Sequence, residues 1–334
     1  MNMNKLKSVV ITMLFSAAAF APATAQDSTF TYMPEVHGVV RPRWEIKTES
    51  GNQRFQVRNA RLSISGKIAP SISYYVQTDF CDAGKIKILD AWGKIGIIKG
   101  LEFQAGQFRM PFGIEPHRSP YNYYFANRSF IGKQVMNYRA VGAKIAYKPI
   151  QRLTLEGGVF NPSTIDDQSA WSKTVAASFK AVLDLSMGWK ISASYGTIKP
   201  GDYRANLLDA YLSWGDESWT VTGEYMFKRY CNNAFDDAHG YLFFVDWRRP
   251  VNIGVFNRWS VQARLDGMTD HHQLNRDDEV FNYDRTRVTI GSVLTYEHKK
   301  FGCDVRLNYE NYVRHARYDA DASDKLVAEL IFRF

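Results

Sequence analysis

The sequence predicts an all-β protein: a transmembrane antiparallel β-barrel of about 16 strands, with a long third external loop folding into the pore. Three observations predict it. Segments of about ten residues with period-two alternation recur from Val36 to the last residue. Long and short connections between them segregate by parity. The chain also ends flush on such a segment: Leu326, Ala328, Leu330, Phe332 and Phe334 share one face, while Lys325, Glu329 and Arg333 share the other.

In chain order, Met1 to Ala25 comes first. Lys5 and Lys7 precede an apolar run from Val9 to Phe20, and Ala23 and Ala25 precede Gln26, the pattern of a cleaved secretory signal. The apolar run is shorter than the roughly 20 residues a membrane-spanning helix needs. The expected division is therefore a signal peptide over 1–25 and a barrel domain over 26–334.

The expected strands are 36–48, 53–67, 71–80, 85–97, 101–108, 139–148, 152–161, 171–183, 188–198, 203–214, 217–231, 237–249, 256–268, 283–298, 301–313 and 323–334. Several alternate cleanly. In 256–268, Trp259, Val261, Ala263 and Leu265 oppose Arg258, Ser260, Gln262, Arg264 and Asp266. In 301–313, Cys303, Val305, Leu307 and Tyr309 oppose Asp304, Arg306, Asn308 and Glu310. A soluble β-sandwich alternates too, but it does not segregate its loops by length. Here the connections after even-numbered strands are short, as at 68–70, 98–100, 149–151 and 299–300. The longest, 109–138, 269–282 and 314–322, all follow odd-numbered strands. Short periplasmic turns opposite longer external loops are the habit of outer-membrane barrels.

Composition agrees. Of the 334 residues, 45% are hydrophobic and 14% aromatic, and mean hydropathy is −0.33. Alternating lipid-facing and lumen-facing residues average to this mild hydrophilicity. Cys81, Cys231 and Cys303 are odd in number and show no metal-like spacing. No cofactor or metal site is expected.

The loop from Arg109 to Tyr138 carries Arg109, Arg118, Arg128 and Lys133, with His117 and a single acid, Glu115. Phe112, Tyr121, Tyr123, Tyr124, Phe125 and Phe130 give it an aromatic density that argues against disorder.

Four stretches then carry a resemblance: Arg58 to Lys67, Tyr74 to Phe80, Asp90-Ala91-Trp92, and above all Gly106-Gln107-Phe108-Arg109-Met110-Pro111-Phe112-Gly113-Ile114-Glu115. Together they resemble the phosphate-selective porin O and P family, most strongly over 55–145. The resemblance implies a sixteen-stranded, usually trimeric barrel of the bacterial outer membrane for passive diffusion of anions. The terminal Phe334 likewise resembles the signal that such barrels present to their insertion machinery. Only Arg109 matches a family position residue by residue. Few lysines cluster near the first long loop, which departs from the family's lysine cluster and sets phosphate specificity apart from membership.

Alternation alone assigns side chains to the lumen. Inward bases include Arg41, Arg43, Arg61, Lys94, Lys144, Lys180, Lys228, Arg264, Arg285, Arg287, Arg306 and Arg333; inward acids include Glu45, Asp79, Asp90, Glu156, Asp209, Glu224, Asp266, Asp304, Glu310 and Glu329. Bases exceed acids, which biases ion traffic toward small anions such as phosphate. The residues expected to form the constriction and anion path are Arg109, Arg118, Arg128, Lys133, Arg61 and Arg43. Outer-membrane lipid, the insertion machinery and two further copies of the chain are the expected partners.

Two other function classes compete. A non-conducting barrel with a structural or adhesion role has the same strand pattern. An outer-membrane enzyme rests on Asp270-His271-His272 alone, without convergent partners or a nucleophile elbow, so no enzyme is expected. Nucleic acid is not an expected partner, because the bases behind the net charge of +8 are spread along the strands and form no patch.

Overall fold

The computed structural model describes residues 31–82, 84–135, 139–162, 168, 171–199, 203–269, 285–314 and 323–334. The expected signal peptide, Asp270-His271-His272 and most of the seventh and eighth external connections lie outside the described residues.

Sixteen antiparallel strands form one closed barrel. They are β1 (Glu35–Lys47), β2 (Gln53–Ala69), β3 (Ile72–Asp82) and β4 (Lys85–Ile98). Next come β5 (Leu101–Arg109), β6 (Arg139–Ile150), β7 (Leu153–Phe160) and β8 (Ala176–Asp184). Then follow β9 (Trp189–Ile198), β10 (Ala205–Gly215), β11 (Trp219–Tyr230) and β12 (Ala238–Ile253). Last are β13 (Phe256–Met268), β14 (Arg285–His298), β15 (Phe301–Arg314) and β16 (Lys325–Arg333). Each pairs with its neighbours in sequence, and β1 pairs with β16, so no strand edge is left open to lipid.

Strand number and order match the alternation; most boundaries agree within two residues, and two differ by more. β8 starts at Ala176, later than the expected 171, and pairs there with Phe160, the last residue of β7. β12 runs past Pro250, which sits opposite Arg258 beside a register shift, where its missing N–H costs no ladder bond. Loop parity holds at the long end: the connections 110–138, 161–175, 269–284 and 315–324 all lie opposite the end that carries the termini. Two connections at that same end, 48–52 and 83–84, are short.

The outward register is an apolar band left uncovered, with Ile290 at 56%, Leu307 at 49% and Phe332 at 44% exposure. Such a continuous oily surface needs lipid against it. Inside, the packed core sits near the external ends of the strands. There Phe108, Phe160, Ile198, Leu207, Met226 and Met268 meet Met110, Phe112, Phe125, Phe130 and Ile131 of the long connection.

The barrel closes at its last residue. Gly38 and Phe334 exchange two backbone hydrogen bonds, of 2.7 and 3.1 Å, and the Phe334 ring lies so close to Gly38 that an added Cβ would come within 2.1 Å of it. Gly106 in β5 is constrained twice. Its φ is +133°, and a Cβ there would fall 2.3 Å from the Ala91 carbonyl and 2.7 Å from the Trp92 Cα on β4.

Gly106→Ala should therefore destabilise the barrel by about 2 kcal/mol or more, read as a lower temperature at which the compact band on semi-native gels converts to the unfolded one. Gly51→Ala also has positive φ but nothing within 4 Å, and should cost only about 1 kcal/mol.

Candidate pore constriction

The connection between β5 and β6 leaves the wall as Pro111 ends strand pairing and Gly113, at φ +64°, turns the chain inward. Phe112, fully buried, pins the turn into the internal core. Three successive backbone N–H groups then meet the far wall. Gly113 donates to Ser194 Oγ on β9 (3.0 Å), Ile114 to Glu224 Oε1 on β11 (2.7 Å) and Glu115 to Glu224 Oε2 (3.0 Å). One buried carboxylate thus closes the donors of a turn that has no ladder of its own. A Cβ at residue 113 would stand 3.0 Å from Glu224 Oε1, so glycine is what lets the carboxylate approach.

The short helical turn Glu115–His117 follows. His117 Nε2 donates to the Met110 carbonyl at 2.8 Å. Burial first, then the charges of Lys180 and Arg109, hold its pKa well below the usual imidazole value, so it is neutral. Arg118 folds back onto Glu115 (2.6 Å) and stacks over Tyr124 and Phe244.

Residues 123–130 lie along the wall formed by β13 to β16 and β1, where arginines receive the chain's carbonyls. Arg306 donates to Tyr123 O (2.6 Å), Arg41 to Ala126 O (2.7 Å), Arg264 to Asn127 O (2.8 Å) and Arg287 to Arg128 O (2.8 Å). In return Ala126 N–H donates to Asn308 and Phe130 N–H to Asp266. Each of these arginines also has a carboxylate: Arg41 and Arg306 share Glu329, Arg264 and Arg287 share Asp266, and Arg287 reaches Glu310. The four arginines are at most 3% exposed. Buried charges persist only when paired and hydrogen-bonded, and here every one is both. On this wall the basic residues counted from the sequence serve as loop anchors.

The wall of β2 to β6 is different, because its arginines, Arg61, Arg109 and Arg139, keep part of their surface exposed. Arg61 pairs with Asp79 at 2.7 Å, and Arg139 grips Asp90 through two bonds of 3.1 Å. Arg109 donates to the carbonyls of Pro116 and Arg118, and Arg128 donates to Pro116 O at 3.0 Å. Neither Arg109 nor Arg128 has a carboxylate partner among the described residues, and the Nε of each makes no hydrogen bond. Both lie close to Arg61 and Arg139, and Arg128 also lies close to Glu115, the partner of Arg118. Farther along the lumen, Lys144 and Lys180 share the single acid Glu156, at 2.5 and 3.1 Å.

Of the six residues the sequence singles out, the structure brings Arg61, Arg109 and Arg128 together. Arg118 is drawn aside by Glu115, three residues earlier. Arg43 is buried against Glu45 (3.0 Å) and Asn127 (2.8 Å), on the anchoring wall. Lys133 is exposed in the π-helical turn Ile131–Val135. Arg139 was not singled out, because counting back from inward Lys144 assigns it to the lipid side. As the first residue of β6, where the pleat no longer dictates direction, it turns to Asp90. Tyr75 and Trp92 were also passed over; they face the lumen from β3 and β4 as register partners, stacked at 5.4 Å.

No curated protein matches the chain. Solved barrels do. The outer membrane channel DcaP of Acinetobacter baumannii superposes with a TM-score of 0.65, over 94% of this chain and 100% of that one, at 10% identity. For the anion-selective porin from Comamonas acidovorans the values are 0.63, 90%, 99% and 11%. For Salmonella typhi OmpF, solved in complex with daunomycin, they are 0.64, 90%, 97% and 12%. At such identities the likeness is one of fold. The family model for phosphate-selective porin O and P matches residues 38–214, more than half of the chain, over the strands that carry Arg61, Arg109 and Arg139. The chain therefore belongs to the phosphate-selective porin O and P family of outer-membrane porins.

Proposed function

We propose that this bacterial outer-membrane porin passes small hydrophilic solutes by diffusion with a preference for anions, through an aperture between residues 110–130 and the β2 to β6 wall. One observation carries the preference: Arg109 and Arg128 donate to backbone carbonyls and form no ion pair among the described residues, and Glu115, the acid near Arg128, is already paired with Arg118. An anion about 4 Å from one unit charge gains about 1 kcal/mol in bulk-like water and about 4 kcal/mol at an effective dielectric near 20. Carbonyl partners fix a guanidinium without neutralising it, and its planar fork suits the oxygens of phosphate and carboxylate alike. Passage also requires that no single site hold too tightly. Spreading the charge over Arg61, Arg109, Arg128 and Arg139, two of them paired with acids, meets that requirement.

Phosphate as the preferred anion, assembly into a homotrimer, an annulus of outer-membrane lipid and delivery by the barrel-insertion machinery complete the proposal. The family description supports the first. A trimeric form among the structural neighbours supports the second. A solute channel, and not an enzyme, is the activity that the barrel and the family support.

In planar bilayers, Arg109→Ala and Arg128→Ala should each lower the anion-over-cation permeability ratio about fourfold, equivalent to ~0.8 kcal/mol. Arg118→Ala, which removes a guanidinium already paired with Glu115, should leave the ratio within experimental error. Equal effects of all three would contradict the assignment.

Glu224→Gln places an amide against the N–H groups of Ile114 and Glu115 and should loosen the inward turn. The expected outcome is a stability loss of about 2 kcal/mol, together with noisier and larger single-channel currents. Unchanged current noise in a folded variant would show that the turn is held by other contacts.

A further inference from the structure

A porin lumen is normally lined with polar side chains. On the wall that also carries the arginine cluster, two half-buried inward positions outside the internal core break that rule. Tyr75 on β3 and Trp92 on β4 are register partners, and their rings stack at 5.4 Å with an interplanar angle of 22°. They are not part of the lipid-facing aromatic belt, because Gln77, Asp79 and Asp90 in the same registers point inward.

Their exposure separates them from the phenylalanines of the internal core; Tyr121 and Tyr124 of the long connection are half-buried as they are. Phe108, Phe112, Phe125, Phe130, Phe160 and Phe244 are at most 5% exposed and form the core beneath the long connection. Trp92 leans one side against that core, yet it and Tyr75 remain only half-buried. Packing does not use all of their ring surface. Trp92 is also fixed in place, since β5 approaches so closely that the absence of a Cβ at Gly106 is what makes room for its backbone.

Charge completes the setting. The Tyr75 hydroxyl accepts a hydrogen bond from Gln77 Nε2 at 2.9 Å and lies near Arg61, Arg139 and Asp90. Arg109 and Arg128, close to Arg61 and Arg139, form no ion pair among the described residues and are half-buried. A flat apolar platform beside unneutralised guanidiniums matches a solute that presents a ring face and an anionic group together. Inorganic phosphate uses only the second.

We infer that the Tyr75–Trp92 platform makes this porin select ring-bearing organic anions, such as sugar phosphates or aromatic carboxylates, over compact anions of similar charge. The inference deepens the anion-path proposal and rests on it. The ring stacks on the platform through its apolar face, while the anionic group meets the arginines.

The test is block of potassium chloride current through single channels by added glucose 6-phosphate, benzoate, inorganic phosphate or acetate. Either ring-bearing probe should reach half-block at a concentration at least fivefold below that of its compact counterpart, and the two probes tell a sugar ring from an aromatic one. Trp92→Ala should raise the half-blocking concentration of the ring-bearing probe at least fivefold and leave that of phosphate unchanged; Trp92→Tyr should restore most of the block. Tyr75→Ala serves as the second variant if Trp92→Ala does not give a compact heat-modifiable band. Equal block by ring-bearing and compact anions, or ring block untouched in the folded variants, overturns the inference. The zero-current potential of the same channels in a chloride gradient separates the two failures. Anion selectivity without ring preference overturns only the platform, whereas cation selectivity overturns the anion path itself.

Discussion

The interior depends on one exchange between a loop and a wall. Residues 113–130 carry backbone donors and acceptors away from any sheet, and such groups cannot be buried unpaired. The wall answers by sign: the carboxylate of Glu224 takes N–H groups where the chain first crosses the lumen, and Arg41, Arg264, Arg287 and Arg306 take carbonyls where it runs along the far side. Each of these arginines would be untenable in a buried site without Glu329, Asp266 or Glu310 beside it. Loop, arginines and acids therefore stand or fall together.

That exchange divides the lumen into two halves with different tasks. On the anchoring half, charges cancel and are covered. On the β2 to β6 half, Arg109 and Arg128 are held by carbonyls and form no ion pair among the described residues, while Arg61 and Arg139 keep part of their surface open. A plain excess of inward bases over acids overstates the number of cations a solute meets, because the largest group of them is spent on holding the loop.

Strand order and loop parity were legible in the sequence because period-two alternation is a local property, readable without knowing any partner. That the long connection is ordered was legible in its aromatic content, since Phe112, Phe125 and Phe130 need a core; its inward course was expected from its place as the third external loop of a sixteen-stranded barrel. Which cations stay uncancelled was not, because the deciding partners are distant in sequence: Arg41 and Glu329 are 288 positions apart, and Arg306 and Tyr123 are 183 apart. Some local clues were available. Glu115 three residues before Arg118, and Glu45 two residues after Arg43 on the same strand face, both foretell pairs. Arg139 escaped notice because alternation fails at the first residue of a strand. Tyr75 and Trp92 share the inward parity of Asp79 and of Asp90 and Lys94, but only the register shows that they lie side by side.

The central claim is that carbonyl-held arginines make the aperture beside the β2 to β6 wall net positive. The zero-current potential of the wild-type channel across a tenfold potassium chloride gradient tests it most directly. A potential whose sign reports chloride as the more permeant ion is the predicted result, and one that reports potassium would contradict the account while leaving the barrel as described.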